Sequence, residues 1–406
     1  MVAGFPKRVL RRSTRLGLLS IGVRQSDRGR DTLGWEGYES LIRHIAAFLI
    51  EIKRSSLRRA DYLSEVMISG NAFVILLQPP RGEKDIAYAD LDTIRRRVGA
   101  RLQRSVRERL PAGVRESFEF SIGCAVLARD GSLRFERLVY SALEQAFADS
   151  MQQRRGGRRE AGLRLREVIR TRSVTTVYQP VVDLVERRLL GYEALTRVSP
   201  DAFAGPDRMI QAAYEHDSLW RLEQVCRDTA IRGARGLPEG LLLFLNIEPD
   251  SFNDPALRSE ATFNLLRDNH LTAAQVVLEM TEHAAVRDFS HFRQILNYFQ
   301  FHGFRLAVDD VGSGYAGLQS IAEIRPDFIK IDMALIRDVH LHPIKQDLVA
   351  TIVRFCASSG ITMIAEGVET LDELRCLRDL GVRYAQGYLF ARPGPPFPRA
   401  RLDVLD

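Results

Sequence analysis

Between residues 177 and 390 the sequence alternates short apolar runs of β character with amphipathic stretches of helical spacing, and no other feature restricts the fold so tightly. The strand candidates are VYQPVVDL (177–184), LLGYEALTRV (189–198), LLLFLNI (241–247), VVLEMTE (276–282), RLAVDDV (305–311), FIKIDM (328–333), TMIAEGV (362–368) and YAQGYLF (384–390). Helical candidates between them include LWRLEQVCRDTAIRGA (219–234), FRQILNYFQFHG (292–303) and IKQDLVATIVRFCASSG (344–360). Such alternation implies mostly parallel strands joined by helical crossovers, and eight strands in about 220 residues fit a closed (β/α)8-like barrel. The first two strands are separated only by a short polar link, Val185 to Arg188, so they must pair antiparallel.

Each strand stays apolar until near its C-terminal end, where a charged or amide residue breaks in: Glu193, Asn246, Glu279, Asp309 with Asp310, Lys330 with Asp332, Glu366 and Gln386. Charges in nearly buried strands cost on the order of several kcal/mol each unless they are paired or bound to cations. In a barrel these strand ends converge on one face, where active sites sit. Glu193, Asn246, Glu279, Asp309, Asp310 and Glu366 offer hard oxygen ligands of the kind Mg²⁺ and Mn²⁺ prefer, and the absence of histidine among them argues against zinc. So many carboxylates cannot all ionise side by side without cations, and two divalent ions would relieve the repulsion. Two metals about 4 Å apart are a standard device of phosphoryl chemistry. Lys330 adds a positive charge near the reacting atoms, and Arg197, four residues past Glu193, could offer a guanidinium fork to a phosphate. From the residues alone the expectation is a metal-dependent phosphodiesterase or phosphatase.

The segments YQPVVDL, YEALTRV, LNIEPDSF, LEMTEH, VDDVGSGYAGL, RPDFIKID, IAEGVET and AQGYLFARP fall in the order and spacing of the EAL-domain cyclic-di-GMP phosphodiesterases, which the chain resembles over about residues 165–395. The resemblance implies a (β/α)8-like barrel with one antiparallel strand. It implies Glu193, Asn246, Glu279, Asp309, Asp310 and Glu366 as metal ligands, with Lys330, Glu366 and Asp310 in catalytic roles. Gln179, Arg197 and Gln386 would contact substrate. Asp332 would support the lysine and the metals, Glu282 would anchor the loop after the aspartate pair, and Glu369 would be a second supporting glutamate. The implied reaction is water attack on one phosphodiester of cyclic-di-GMP to give linear pGpG, with Mg²⁺ or Mn²⁺ as cofactor and a homodimer as the assembly. The loop reads DDVGSGYAGL (309–318) where the family usually has DDFGTGYSSL, so Val311 stands in place of an aromatic.

The first half reads as an α/β domain. LLSIGV (18–23) and FEFSIGCAVL (118–127) are strand candidates, ISGNAFVILLQ (68–78) reads as a hairpin with Gly70 and Asn71 at its tip, and 37–52, 88–106 and 135–151 have helical periodicity. This half resembles a GGDEF (diguanylate cyclase-like) domain: Ser69-Gly70-Asn71-Ala72-Phe73 falls where the GGDEF pentad belongs, and FSIG (120–123) matches a family strand. Asn71 and Ala72 replace both acidic residues, and 18–23 lacks the expected metal-binding aspartate, so the resemblance implies a degenerate domain without cyclase activity. RRAD (58–61) contains the RxxD string of an inhibitory dinucleotide site but lies about two residues too far from the pentad, and reads as an exposed helix end.

These readings divide the chain into a basic N-terminal tail (1–14), a degenerate GGDEF-like domain (15–150), a flexible linker (151–164) holding Gly156 and Gly157, and an EAL phosphodiesterase domain (165–400). With about 15 residues before the first strand, no sensory module is expected ahead of the pair. Charge follows the same division: residues 1–170 carry 33 Lys and Arg against 20 Asp and Glu, while residues 171–406 carry 25 against 32. The arginine excess of the basic half reads first as a solvated surface, with an anionic ligand, nucleic acid or a regulatory protein partner as the alternatives, and the half lacks the aromatic-interleaved platform that nucleic-acid binding needs. No apolar run approaches the ~18 residues of a membrane span, and four scattered cysteines without a CxxC pair argue against a disulfide framework, so a cytoplasmic location is expected. The competing reading is a catalytically silent cyclic-di-GMP receptor that signals to a partner. It would use Gln179 and Arg197 but would not need every carboxylate.

Overall fold

The computed structural model describes residues 15–25, 35–55, 61–67, 71–79, 83, 85–109, 118–128, 135–281, 289–312, 321 and 323–405. The basic tail, Glu282, most of the RRAD string and residues 313–320 of the DDVGSGYAGL loop lie outside them. The chain divides into two compact units, Met1–Glu160 and Ala161–Asp406.

In the first unit, strands β1 (Arg15–Gln25), β2 (Tyr62–Met67), β3 (Asn71–Leu77) and β4 (Phe118–Ala128) form an antiparallel sheet in the order β2-β3-β1-β4. Alternation along β1 sends Leu19, Ile21 and Val23 to one face, where they pack with Leu41, Ile45 and Leu49 of helix α1 (Trp35–Ser55) and Leu91, Val98 and Leu102 of α2 (Tyr88–Arg109). Leu16 and Leu18 face the other way, onto Val139, Ala142, Leu143 and Ala146 of α3 (Phe135–Thr171). The expected hairpin at 68–78 is shifted: residues 71–77 form one strand whose partner is Tyr62–Met67, paired from Tyr62–Leu76 to Met67–Asn71. YLSEVM lacks an uninterrupted apolar run and so carries no strand signal of its own. Asp61 is no exposed helix end; it is buried and accepts the Gln78 N–H at 2.9 Å.

The expected flexible linker is a second correction. Residues 151–164 belong to α3, a single 37-residue helix. Gly156 and Gly157 each cost about 1 kcal/mol in a helix, but their arginine, glutamine, glutamate and alanine neighbours favour it. The same helix places Val139 and Ala146 in the first unit's core and Leu165 and Val168 in a core of the second.

The second unit is a closed eight-stranded barrel in the order β10-β11-β12-β5-β6-β7-β8-β9. Its strands are β5 (Val174–Asp183), β6 (Arg188–Val198), β7 (Leu242–Asn246), β8 (Val276–Thr281), β9 (Arg305–Val311), β10 (Phe328–Ile331), β11 (Thr362–Ala365) and β12 (Tyr384–Gln386). β5 runs antiparallel to both neighbours, β6 and β12, and every other pairing is parallel. One helix after β7 (Glu260–Asp268) and one after β11 (Leu371–Asp379) complete crossovers that the strand pattern required but periodicity did not single out.

Strand alternation sorts the side chains. Outward residues such as Leu243, Leu245, Leu278 and Ile329 pack beneath the helices. Val181, Leu242, Phe244, Val277, Ala307, Phe328 and Ile364 form a separate apolar plug, with Phe244 and Phe328 edge to face at 5.4 Å although two strands lie between theirs in the barrel order. Two residues beyond the plug on successive strands stand Gln179, Asn246, Glu279, Asp309, Lys330 and Glu366, with Glu193 and Gln386 at matching positions. The period of 2 therefore sets the polar residues on the inner face, one layer above an apolar floor.

Candidate active site

Lys330 is the centre of that layer. Its side chain is fully buried, and its Nζ lies 2.5 Å from Glu366 Oε1, 3.2 Å from Glu193 Oε2, 3.7 Å from Asp309 Oδ1 and in direct contact with Glu279 Oε1. Burial acts to lower the ammonium pKa, but the carboxylates of Asp309, Glu193, Glu279 and Glu366 outweigh it and hold the group well above the usual lysine value.

One cation does not neutralise the set. Burial, reinforced by Asp309, Glu193 and the remaining carboxylates, pushes Glu279 and Glu366 well above the ordinary carboxylate range despite Lys330. Glu193 goes the other way. Burial opposes its charge, yet Lys330 and hydrogen bonds from Asn246 Nδ2 (3.0 Å) and Gln386 Nε2 (2.6 Å) hold its pKa below normal. Gln386 Nε2 also lies 3.1 Å from Gln179 Oε1, and Gln179 Nε2 donates to the Ala391 carbonyl, so the two amides brace each other.

Asp310 cannot face inward by simple alternation after Asp309. Its backbone adopts a left-handed conformation (φ 59°), and its N–H donates to Asp309 Oδ1 at 2.8 Å. Burial, then the charges of Asp309 and Asp332, push its carboxyl up to about 7. Gly312 follows with φ 101°, and a Cβ there would fall 2.3 Å from Leu335 Cδ1, so the turn requires glycine. Val311, standing where an aromatic was expected, is buried in the main core. Asp332 caps the short helix Met333–Ile336 by accepting the Ala334 N–H at 2.6 Å.

Two expected site residues stand apart from the cluster. Arg197 shares the inward parity of Glu193 but lies four residues farther out, about 13 Å along the strand, and its Nη1 donates to the neighbouring Thr196 carbonyl. Glu369 pairs with Arg337 at 2.5 Å, and that guanidinium depresses its pKa. Sequence reasoning missed Glu373, a buried carboxylate that accepts the N–H groups of Asp338 (3.0 Å), Glu369 (2.9 Å) and Thr370 (3.0 Å). It thereby ties the chain after Glu366 to the chain after Asp332. Its signal was present as the capping box Thr370-x-x-Glu373.

The donor set fits a divalent cation. Oxygens of Glu279, Asp309 and Glu366 lie within 4.8 Å of one another. Glu279 Oε2 is enclosed without a hydrogen-bond partner among the described residues, and all three ligands are hard oxygens.

Residues 163–393 match the sequence profile of a family described as EAL domain. The chain is 34% identical over 227 residues to Probable cyclic di-GMP phosphodiesterase PdeI of Escherichia coli, an alignment that covers 54% of this chain and 29% of the relative. It is 31% identical over 228 residues to Cyclic di-GMP phosphodiesterase PA2567 of Pseudomonas aeruginosa, covering 54% of this chain and 38% of the relative. The chain spans about a third of the length of the first curated relatives it matches. Among solved structures, a standalone EAL protein of Vibrio cholerae in its c-di-GMP-bound form superposes with a TM-score of 0.51 at 29% identity, covering 57% of this chain and 98% of that one.

Proposed function

The chain belongs to the EAL domain family, and from that premise we propose that its barrel unit hydrolyses cyclic-di-GMP to linear pGpG with Mg²⁺ or Mn²⁺. The observation that carries the reading is the fully buried Lys330 ringed by Glu193, Glu279, Asp309 and Glu366. Carboxylates crowded beyond what Lys330 can answer hold protons when the site is empty, and a further cation would relieve the crowding with all of them ionised.

Glu193, Asn246, Glu279, Asp309, Asp310 and Glu366 would hold the metal ions. A divalent cation bound there would supply Lewis acidity, making water more acidic and screening the phosphate charge. The chain's own groups do the rest. Lys330 Nζ holds its carboxylate partners in register and presents positive charge where negative charge develops on the phosphorane oxygens. Glu366, directly bonded to Lys330, stands where it can take the proton of the attacking water, and Asp310, turned out of the strand beside Asp309, offers a second carboxylate there. Gln179 and Gln386 present amides beside Glu193 to the substrate, and Arg197, nearer the mouth, reaches a phosphate once it leaves Thr196.

The first unit acts in this proposal as a GGDEF-like regulatory domain without cyclase activity. Its antiparallel sheet and the placement of Asn71 and Ala72 at the start of β3, where acids would have to stand, support that reading. A homodimer and a protein partner contacting the first unit belong to the same proposal. The test is direct: purified protein is incubated with cyclic-di-GMP and Mg²⁺ or Mn²⁺ and pGpG is measured. Turnover supports the enzyme; ligand binding with no pGpG replaces it with the silent receptor.

A further inference from the structure

Strand β7 leaves the barrel at Asn246, and its ladder with β6 stops one residue earlier, at Ala194–Leu245. Backbone groups past the last rung need partners from elsewhere. On the β8 side Ile247 N–H donates to the Glu279 carbonyl at 2.8 Å. The next residue turns to a helix instead: Glu248 N–H donates to Glu223 Oε1 at 2.8 Å. Glu223 lies on Leu219–Gly233 and is only 8% exposed. Two more bonds grip the same segment, from the Tyr214 hydroxyl to Glu248 Oε2 at 2.7 Å and from the Trp220 indole to the Asp250 carbonyl at 3.1 Å.

The arrangement carries a cost that plain packing would avoid. Glu223 Oε2, Arg227 Nε and Nη1, and Ser251 Oγ are enclosed together with their hydrogen-bonding capacity only partly met among the described residues, Ser251 lying against the Glu223 carboxylate and the Arg227 charge facing it. A leucine at 223 would remove a buried carboxylate but leave the buried Arg227 guanidinium without the charge that faces it. What a leucine cannot do is accept the Glu248 N–H.

We propose that Glu223 is a positioning residue for the barrel mouth: by holding the Glu248 N–H it fixes the exit of β7 and hence the aim of the Asn246 side chain. The inference rests on Asn246 as a metal ligand. Asn246 stands at the exposed end of its strand, and among the described residues its side chain bonds to Glu193. Its direction is therefore set by the backbone on either side, which Ile247 and Glu248 pin to different elements. Partners that orient metal ligands are worth roughly 10–100-fold in metal affinity.

The experiment uses the full chain, with Mn²⁺ binding followed by titration calorimetry and backbone protection of residues 246–253 followed by hydrogen exchange. Glu223→Leu is expected to weaken Mn²⁺ about tenfold and to expose the Glu248 amide to exchange. Glu223→Gln, which keeps an acceptor oxygen, is expected to stay within about twofold on both counts. A purely structural role predicts no such rescue with Mn²⁺ affinity unchanged in both variants, and that result overturns the proposal. Should Glu223→Leu fail to fold, Glu223→Asp, which withdraws the carboxylate by one methylene, must still weaken Mn²⁺ by about threefold or more; unchanged affinity counts against the proposal. If the wild-type chain binds no Mn²⁺, the metal reading above fails. The present proposal, which rests on that reading, then falls with it, whereas wild-type Mn²⁺ binding that both variants retain overturns this proposal alone.

Discussion

Asp183 and Glu279 are both buried carboxylates on barrel strands, one at each rim, and they are treated in opposite ways. Asp183 stands where β5 turns into β6, level with the first residues of β6 and β12. Its Oδ1 accepts the N–H groups of Val185 and Glu186, each at 3.0 Å, and its Oδ2 takes the Arg383 fork at 2.9 and 3.1 Å. Burial alone would raise its pKa, but Arg383 and the two amides outweigh burial and hold it below the ordinary value. Glu279 has one oxygen on Lys330 and the other on no hydrogen-bond partner among the described residues, and its pKa is raised well above normal. A carboxylate whose lone pairs are all answered by its own chain is finished as structure. One left short of partners beside other acids is arranged for something the chain does not contain.

The sharpest way to break that contrast is to cut into each rim and read turnover. Glu193→Ala is expected to drop cyclic-di-GMP hydrolysis to background, and Lys330→Ala to slow it by about a thousandfold with substrate affinity largely retained. Substantial residual turnover in Glu193→Ala would contradict the metal assignment, and affinity lost in step with rate would contradict the role of Lys330. The next effect is thermodynamic. Mn²⁺ at about a hundred times its Kd should stabilise chelator-treated protein against urea by about 2.7 kcal/mol, and Glu279→Gln should remove most of that gain. Equal stabilisation of both proteins would place the ion elsewhere. At the opposite rim, Asp183→Ala leaves two backbone N–H groups and a guanidinium without their acceptor. It should cost about 2 kcal/mol in urea unfolding and leave kcat within about twofold. A large loss of kcat in folded Asp183→Ala protein would erase the distinction between the rims.

The mouth was legible in the sequence because strands have a period of 2: a polar residue two positions past an inward apolar one must share its face, as Phe244 and Asn246 or Phe328 and Lys330 do. The antiparallel entry of β5 followed from the four residues between it and β6. Glu223 was not legible as a site support, since its partner Glu248 lies on another element and a helical glutamate four residues before Arg227 looks like a surface ion pair; Glu373 was visible as a capping box, but not its bond across to the Asp338 N–H. The continuity of α3 was hidden for a different reason. Local glycine signals predict a break at Gly156 and Gly157, whereas the helix-favouring neighbours of the two glycines carry Phe135–Thr171 through as one helix.

Glu223 offers the smallest and most discriminating test, because it lies between the two kinds of carboxylate. Burial, with the charge of Glu248 added, pushes it up to about 8 against the opposing Glu248 N–H bond and the Arg227 charge. In the unfolded chain it returns to the ordinary value of 4.5. Between those values the folded protein holds a proton that the unfolded chain sheds, so its contribution to stability is complete below about 4.5 and is lost as pH rises through about 8. Asp183 has the reverse sign: its contribution is present above the ordinary carboxylate value and lost on acidification. Relative to Glu223→Gln, the wild-type barrel should therefore lose stability from pH 6 to pH 9, by at most about 1.4 kcal/mol per pH unit. A difference between the two proteins that stays flat over that range would mean that Glu223 ionises normally. It would then belong with Asp183 among the fully answered carboxylates.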